Sequence, residues 1–230
     1  MSPARTVLLA GLLAGCGASV SAPDVDAGCS LGDASVRDGG RVVSERFITE
    51  VVSFRPGEGA SFGHAAMPSV VFGPPRGAGD LAGGTDAVSL GRAGEIVVGF
   101  SVAIVDGPGP DFIVFENPFQ RPGREVEWWE ELGEVSVSED GTTWHTFRCD
   151  PRGDRPHEGC AGWNPVYSAP DNGWCPTDPR HAGGDPFDLA ALGVPRARYV
   201  RIRDLETRPV LPPATGFDLD AIAVLHAASR

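Results

Sequence analysis

Hard oxygens and aromatic rings are the chemistry this sequence offers. Residues 106–117 read DGPGPDFIVFEN. Asp106 and Asp111 flank a Gly-Pro-Gly-Pro turn, and Glu116 and Asn117 follow an apolar run from Phe112 to Phe115. Near the end of the chain Asp218 and Asp220 stand two apart, a spacing that puts both on one face of a strand. Calcium takes about six to eight such oxygens, and backbone carbonyls from Gly/Pro loops complete the set. One reading is therefore a structural calcium ion on Asp111, Glu116, Asp218 and Asp220, with Asp106 and Asn117 as further donors; its sharpest form takes Glu116 and Asp220 as ligands. The other reading is solvated carboxylates and Asp-capped turns. A run buried on both faces belongs to a central strand. Asp106 and Asp111 are thus expected at one rim, and Glu116 and Asn117 at the other.

Tryptophan is the second theme. Trp128 and Trp129 are adjacent, so one of them faces outward on a strand. Trp163 and Trp174 lie in a Gly/Pro-rich stretch, residues 149–186. Exposed rings on loops stack on sugars, and Trp128 and Trp163 are the candidate ligand-binding residues. Plugging a loop onto the core is the alternative for both, and the favoured role for Trp174 beside Cys175. Trp144, after a hairpin turn, is expected in the core.

Enzyme signatures are absent. There is no Gly-x-Ser-x-Gly, no His-Glu-x-x-His and no glycine-rich dinucleotide loop. All 19 basic residues are arginine, which excludes a P-loop lysine, a Schiff base and a Ser-Lys dyad. Acid pairs such as Glu127 with Glu130 carry little weight among 31 acidic residues. A non-catalytic protein is expected. The formal net charge of -12 excludes nucleic acid and anionic membrane surfaces as partners.

Residues 1–15 read as a secretory signal peptide, with an apolar run too short to span a bilayer. Leu13-Ala14-Gly15-Cys16 resembles the bacterial lipobox. That resemblance implies a lipidated Cys16, an acyl anchor in the membrane, and, with Gly17 next, an outer-membrane or cell-surface location. Residues 16–43, rich in Ala, Gly, Ser and Asp, read as a flexible linker. Four further cysteines in an exported chain read as disulfides. Cys149 and Cys160 bracket a loop and form the first pair, which would stabilise by about 2–3 kcal/mol. Cys29 with Cys175 follows by subtraction.

From residue 44 to 230 short apolar runs alternate with turns, the pattern of an all-β sandwich with 149–186 as a disulfide-rich insertion. GEVSVSEDGTTWHTF is a hairpin, and DLAALG is the one short helix, capped by Asp188 and Gly193. VSVSEDGTTW, ARYVRIRDL and GFDLDAIAVLH resemble, in order, strands of discoidin-type domains. VVSFRPGEGASFG, VFGPP, VSLGRAGEIVVGF, IVDGPGPDFIVFEN and GGDPFDL are similar to segments of bacterial cell-surface lipoproteins. The resemblance covers most of residues 47–226 and implies a galactose-binding-like jelly roll. It lends no activity. The expectation is a surface-anchored module that binds carbohydrate or an extracellular protein, with calcium. A structural role in the cell envelope is the alternative, and a cryptic hydrolase is the third reading.

Overall fold

The regular structure of this chain is almost entirely antiparallel strand, joined by turns and loops. The structure is a computed structural model that describes Cys29, residues 35–38 and 41–121, Gly123 and residues 127–229. The signal peptide, Cys16 and most of the linker lie outside the described residues.

The larger sheet is built on β5 (Glu95–Val105) and β13 (Arg196–Asp204). They pair with each other, β5 also with β3 (Glu50–Arg55), and β13 also with β9 (Gly133–Ser138). The short strands β10 (His145–Thr146) and β11 (Cys160–Ala161) both pair with β9. The second sheet places β6 (Phe112–Phe115) between β12 (Asp185–Phe187) and β15 (Ala221–Val224). All four β6 residues are fully buried, as a central strand requires. Ile96, Val98, Val135, Val137, Val200 and Ile202 of the larger sheet join β6 and β15 in one apolar cluster. The other face of the larger sheet carries Glu95, Ser53, Arg201 and Arg203 and meets solvent.

Three two-stranded ladders complete the fold. β4 (Val88–Ser89) pairs with β14 (Asp218–Leu219), and β7 (Phe119–Gln120) with β8 (Trp128–Trp129). β1 (Ser35–Asp38) pairs with β2 (Arg41–Ser44), inside the stretch that composition assigns to linker. Its three valines, Val36, Val42 and Val43, do not stand out in a stretch dominated by Ala, Gly, Ser and Asp.

Local expectations hold at several points. Leu189–Leu192 is a single 3-10 turn, in which the Asp188 carboxylate accepts from Ala190 N at 2.8 Å and Gly193 closes the end at φ 64°. Three further 3-10 turns lie at His64–Ala66, Ser69–Val71 and Gly79–Leu81. Both disulfides form, Cys149 with Cys160 and Cys29 with Cys175. The insertion is pinned to the second sheet by Asp185, whose carboxylate accepts from Gly162 N at 2.6 Å and Asn164 N at 3.1 Å.

Trp144 is not in the core. It lies in the loop before β10, half-buried under the Arg201 guanidinium, 4.5 Å from its ring centroid. Phe147 takes the core place, against Phe112 and Phe187.

Phe115 sits at the end of β6 with no exposure. Phe115→Ala is expected to cost about 3–5 kcal/mol, the range for a buried ring deleted from a close-packed core. Urea unfolding, with unchanged slope and lowered midpoint, is the measurement that checks it.

Candidate metal centre

The end of β6 delivers a carboxylate into the core. β6 stops because Pro118 has no N–H to continue the ladder. Glu116, the residue after the strand, therefore remains inside, 2% exposed. Two more carboxylates reach the same place. Asp218 opens β14 between Phe217 and Leu219, both fully buried, and is itself 7% exposed. Glu131 precedes β9 and is 5% exposed. One oxygen from each of the three lies within 4.8 Å of the others.

Two of these carboxylates are held only in part. Glu131 Oε1 accepts from Gly216 N at 2.9 Å, and Oε2 accepts from the Trp129 indole N–H at 3.2 Å. Gly216 can serve only as glycine. Its φ is 72°, and a Cβ would come within 2.7 Å of Asp204 Oδ1 and 2.8 Å of Gly91 O. Glu116 Oε2 and Asp218 Oδ1 are buried with no hydrogen-bond partner among the described residues. Glu130 Oε1 also accepts no hydrogen bond, but it faces Arg155 Nε at 2.8 Å in an ion pair.

The electrostatics agree. Burial pushes Glu116 well above the ordinary carboxylate range, and the charges of Asp218 and Glu131 push it further. Glu131 rises to about 7 through burial and Asp218, opposed by its two N–H donors. Asp218 rises to about 7 through burial, opposed by Ser89 and reinforced by Asp204. No basic side chain is among the main influences on these three. Three hard oxygen donors without a nitrogen or sulfur ligand suit calcium or magnesium rather than zinc or copper.

The other predicted ligands go elsewhere. Asp106 and Asp111 meet Asp188 at the opposite end of β6, a second acidic group with the spacing for an ion. There both oxygens of Asp111 are engaged. Asp111 Oδ1 accepts from Gly107 N and pairs with the His226 ring, both at 2.8 Å, and Oδ2 accepts from Leu189 N at 2.7 Å. Asn117 uses its amide nitrogen on Gly84 O at 2.8 Å. Asp220 Oδ2 accepts from Arg76 N at 2.8 Å, and burial raises its carboxyl to about 8. Asp220 does not share a ladder with Asp218. β14 pairs with β4 and β15 with β6, and Asp220 lies at the junction. Two-residue alternation does not carry across such a change of partner.

Glu131 was not legible as a ligand. It stands in a run with Glu125, Glu127 and Glu130, and nothing in that run marks one acid as buried.

Trp128 and Trp163 both lie beside Arg155. The Arg155 guanidinium lies 4.2 Å from the Trp128 ring and 5.8 Å from the Trp163 ring, and its Nη2 donates to the Trp163 carbonyl. Trp174, expected to plug the core, is 45% exposed and stacks on His181. No helix of the described residues is long and apolar enough to cross a membrane. No model of a known family matches the chain, and no curated protein matches it.

The raised carboxyls set a pH dependence for the protein stripped of cations by chelator. In the folded state Glu131 and Asp218 keep their protons to about 7, whereas unfolded carboxyls release them near pH 4. The native state then binds more protons than the unfolded state between these values, so stability falls as pH rises. The melting temperature of the cation-free protein is expected to drop from pH 5 to pH 8. Asp218→Asn is expected to flatten that drop, as read by circular dichroism melts in the two backgrounds.

Proposed function

We propose that this chain is an exported, non-catalytic binding module whose sandwich is completed by a calcium ion at Glu116, Glu131 and Asp218. The observation that carries the reading is that two of three carboxylates brought within 4.8 Å of one another each keep a buried, unpartnered oxygen, Glu116 Oε2 and Asp218 Oδ1. An uncompensated buried charge is costly, and a divalent cation removes that cost. The three groups are sealed from solvent, so no substrate reaches them. That favours a structural ion over a catalytic one. The two disulfides suit an oxidising extracellular compartment. The galactose-binding-like jelly roll and the lipid anchor at Cys16 belong to the same reading and rest on the resemblances in sequence.

The test is a melt with and without chelator, together with metal analysis of the purified protein. A ligand that binds only the native state stabilises it by about 2.7 kcal/mol at a hundredfold excess over Kd. Chelator is expected to lower the melting temperature by several degrees, and calcium to restore it more fully than magnesium. Glu116→Gln and Glu131→Gln should remain folded and lose the response. Asp220→Asn should keep it, because that carboxylate is held by Arg76 N. A metal-free protein whose melt ignores chelator at pH 8 sinks the reading.

The anchor has its own test. Cys16→Ser is expected to block processing or to shift the protein out of the detergent phase. A Ser variant that still fractionates with membranes places the anchor elsewhere.

A further inference from the structure

The solvent face of the larger sheet is not a flat field of charge. Strand register lays its outward residues in rows. One row runs Glu50, Gly99, Tyr199, Ser138, and the next runs Ser53, Val97, Arg201, Ser136, Thr146. Small residues hold the middle of these rows low. Gly99 is the extreme case, since a Cβ there would come 3.1 Å from Glu50 Oε2 and 3.3 Å from the Tyr199 ring. The loop between β9 and β10 rises at one side as a wall. Asp140 shapes that wall, its Oδ1 accepting from Thr142 N at 2.8 Å and Thr143 N at 2.7 Å. The result is a cleft of about 480 Å³, a size within the range of ligand sites.

We infer that this cleft is a binding site for a neutral saccharide, seated against Trp144 and Tyr199 with Glu50 and Arg201 addressing its hydroxyls. The inference rests on the binding-module reading above and gives that module its ligand and its place.

The chemistry of the lining selects the class. A sugar ring presents a C–H face and a rim of hydroxyls, and it needs flat apolar surface beside groups that both donate and accept. Trp144 and Tyr199 supply the surface. Among the described residues no hydrogen bond or ion pair engages the Glu50 carboxylate or the Tyr199 hydroxyl. Arg201 is pre-positioned, its guanidinium over Trp144 and its Nη2 donating to Ser136 Oγ at 3.3 Å. Arg55 and Glu95 stand 3.9 Å apart at the far side, a loose pair that can open to hydroxyls. An anionic ligand is disfavoured, because Glu50, Glu95 and Asp140 outnumber Arg55 and Arg201. An acyl chain is disfavoured too, because Val52 and Val97 are the only aliphatic side chains in the lining.

The experiment uses the full chain with its disulfides intact. It is probed on an array of neutral hexose and pentose oligosaccharides, with uronate-containing and sulfated glycans alongside. Affinity for the best neutral glycan is then measured by calorimetry. Binding to a neutral glycan is expected. Trp144→Ala and Glu50→Ala should each weaken it at least tenfold with melting temperature unchanged, and Trp174→Ala should not. Binding that survives both cleft variants overturns this site and leaves the module reading standing. Binding confined to uronates or sulfates, or to no glycan, overturns the saccharide assignment. A chelator melt on the same preparation reports separately on the cation, so failure there is not confused with failure here.

Discussion

A carboxylate taken out of water and given no donor is the constraint on which this fold turns. Burial alone favours the protonated acid, and a neighbouring like charge favours it further. Two unit charges within 4.8 Å repel by at least about 3 kcal/mol at the effective dielectric of a protein interior. Three such groups meet at the end of β6. At neutral pH the folded state has two routes out. It keeps protons on Glu116, Glu131 and Asp218, or it holds a cation among them. The second route strengthens as pH rises, because ligands must shed protons to bind metal. The two routes therefore have opposite pH dependence, which makes the choice between them a matter of measurement.

The other buried acids show that this fold satisfies carboxylates when it needs them for structure. Asp111 accepts from two backbone N–H groups and pairs with His226. Asp204 accepts from Ala93 N, Glu206 N and Phe217 N at 2.9–3.0 Å. Asp185 accepts from Gly162 N and Asn164 N and bridges the insertion to β12. In each case the chain folds its own N–H groups around the carboxyl oxygens. On Glu116 and Asp218 it leaves one buried oxygen each without a partner. The contrast within one molecule is stronger than any count of acids, since a chain with 31 of them brings some together by chance.

Much of the frame was legible in sequence, because it rests on local pattern. The run Phe112–Phe115 declares a central strand, and with it the separation of Asp111 from Glu116. Asp188 and Gly193 declare their turn, and cysteine parity declares the disulfides. Some of the misses lie where the ladder changes. Asp220 was aligned with Asp218 across the switch from β4 to β6. Trp144, expected in the core after the Asp140 turn, is only half-buried, and the core place goes to Phe147 beyond β10. Glu131 needed knowledge of which loop lies over the end of β6, and that is a tertiary fact with no local mark.

The arginines complete the argument for an outside cation. Arg121 and Arg208 lie 4.1 and 4.8 Å from the Trp129 ring, and Arg155 lies over Trp128. Arg208 also donates to Glu130 O at 2.9 Å and to Trp128 O at 2.6 Å. A guanidinium can stack on a ring and donate in its own plane together, which an ammonium cannot. These contacts hold β8 in place, and β8 aims the Trp129 N–H at Glu131. Three guanidiniums thus stand around the strand that leads into Glu131. They are engaged with rings, carbonyls and the neighbouring Glu130, not with the trio. A fold that places cations this close and keeps them one layer out leaves the charge of the centre to protons on the trio or to an ion.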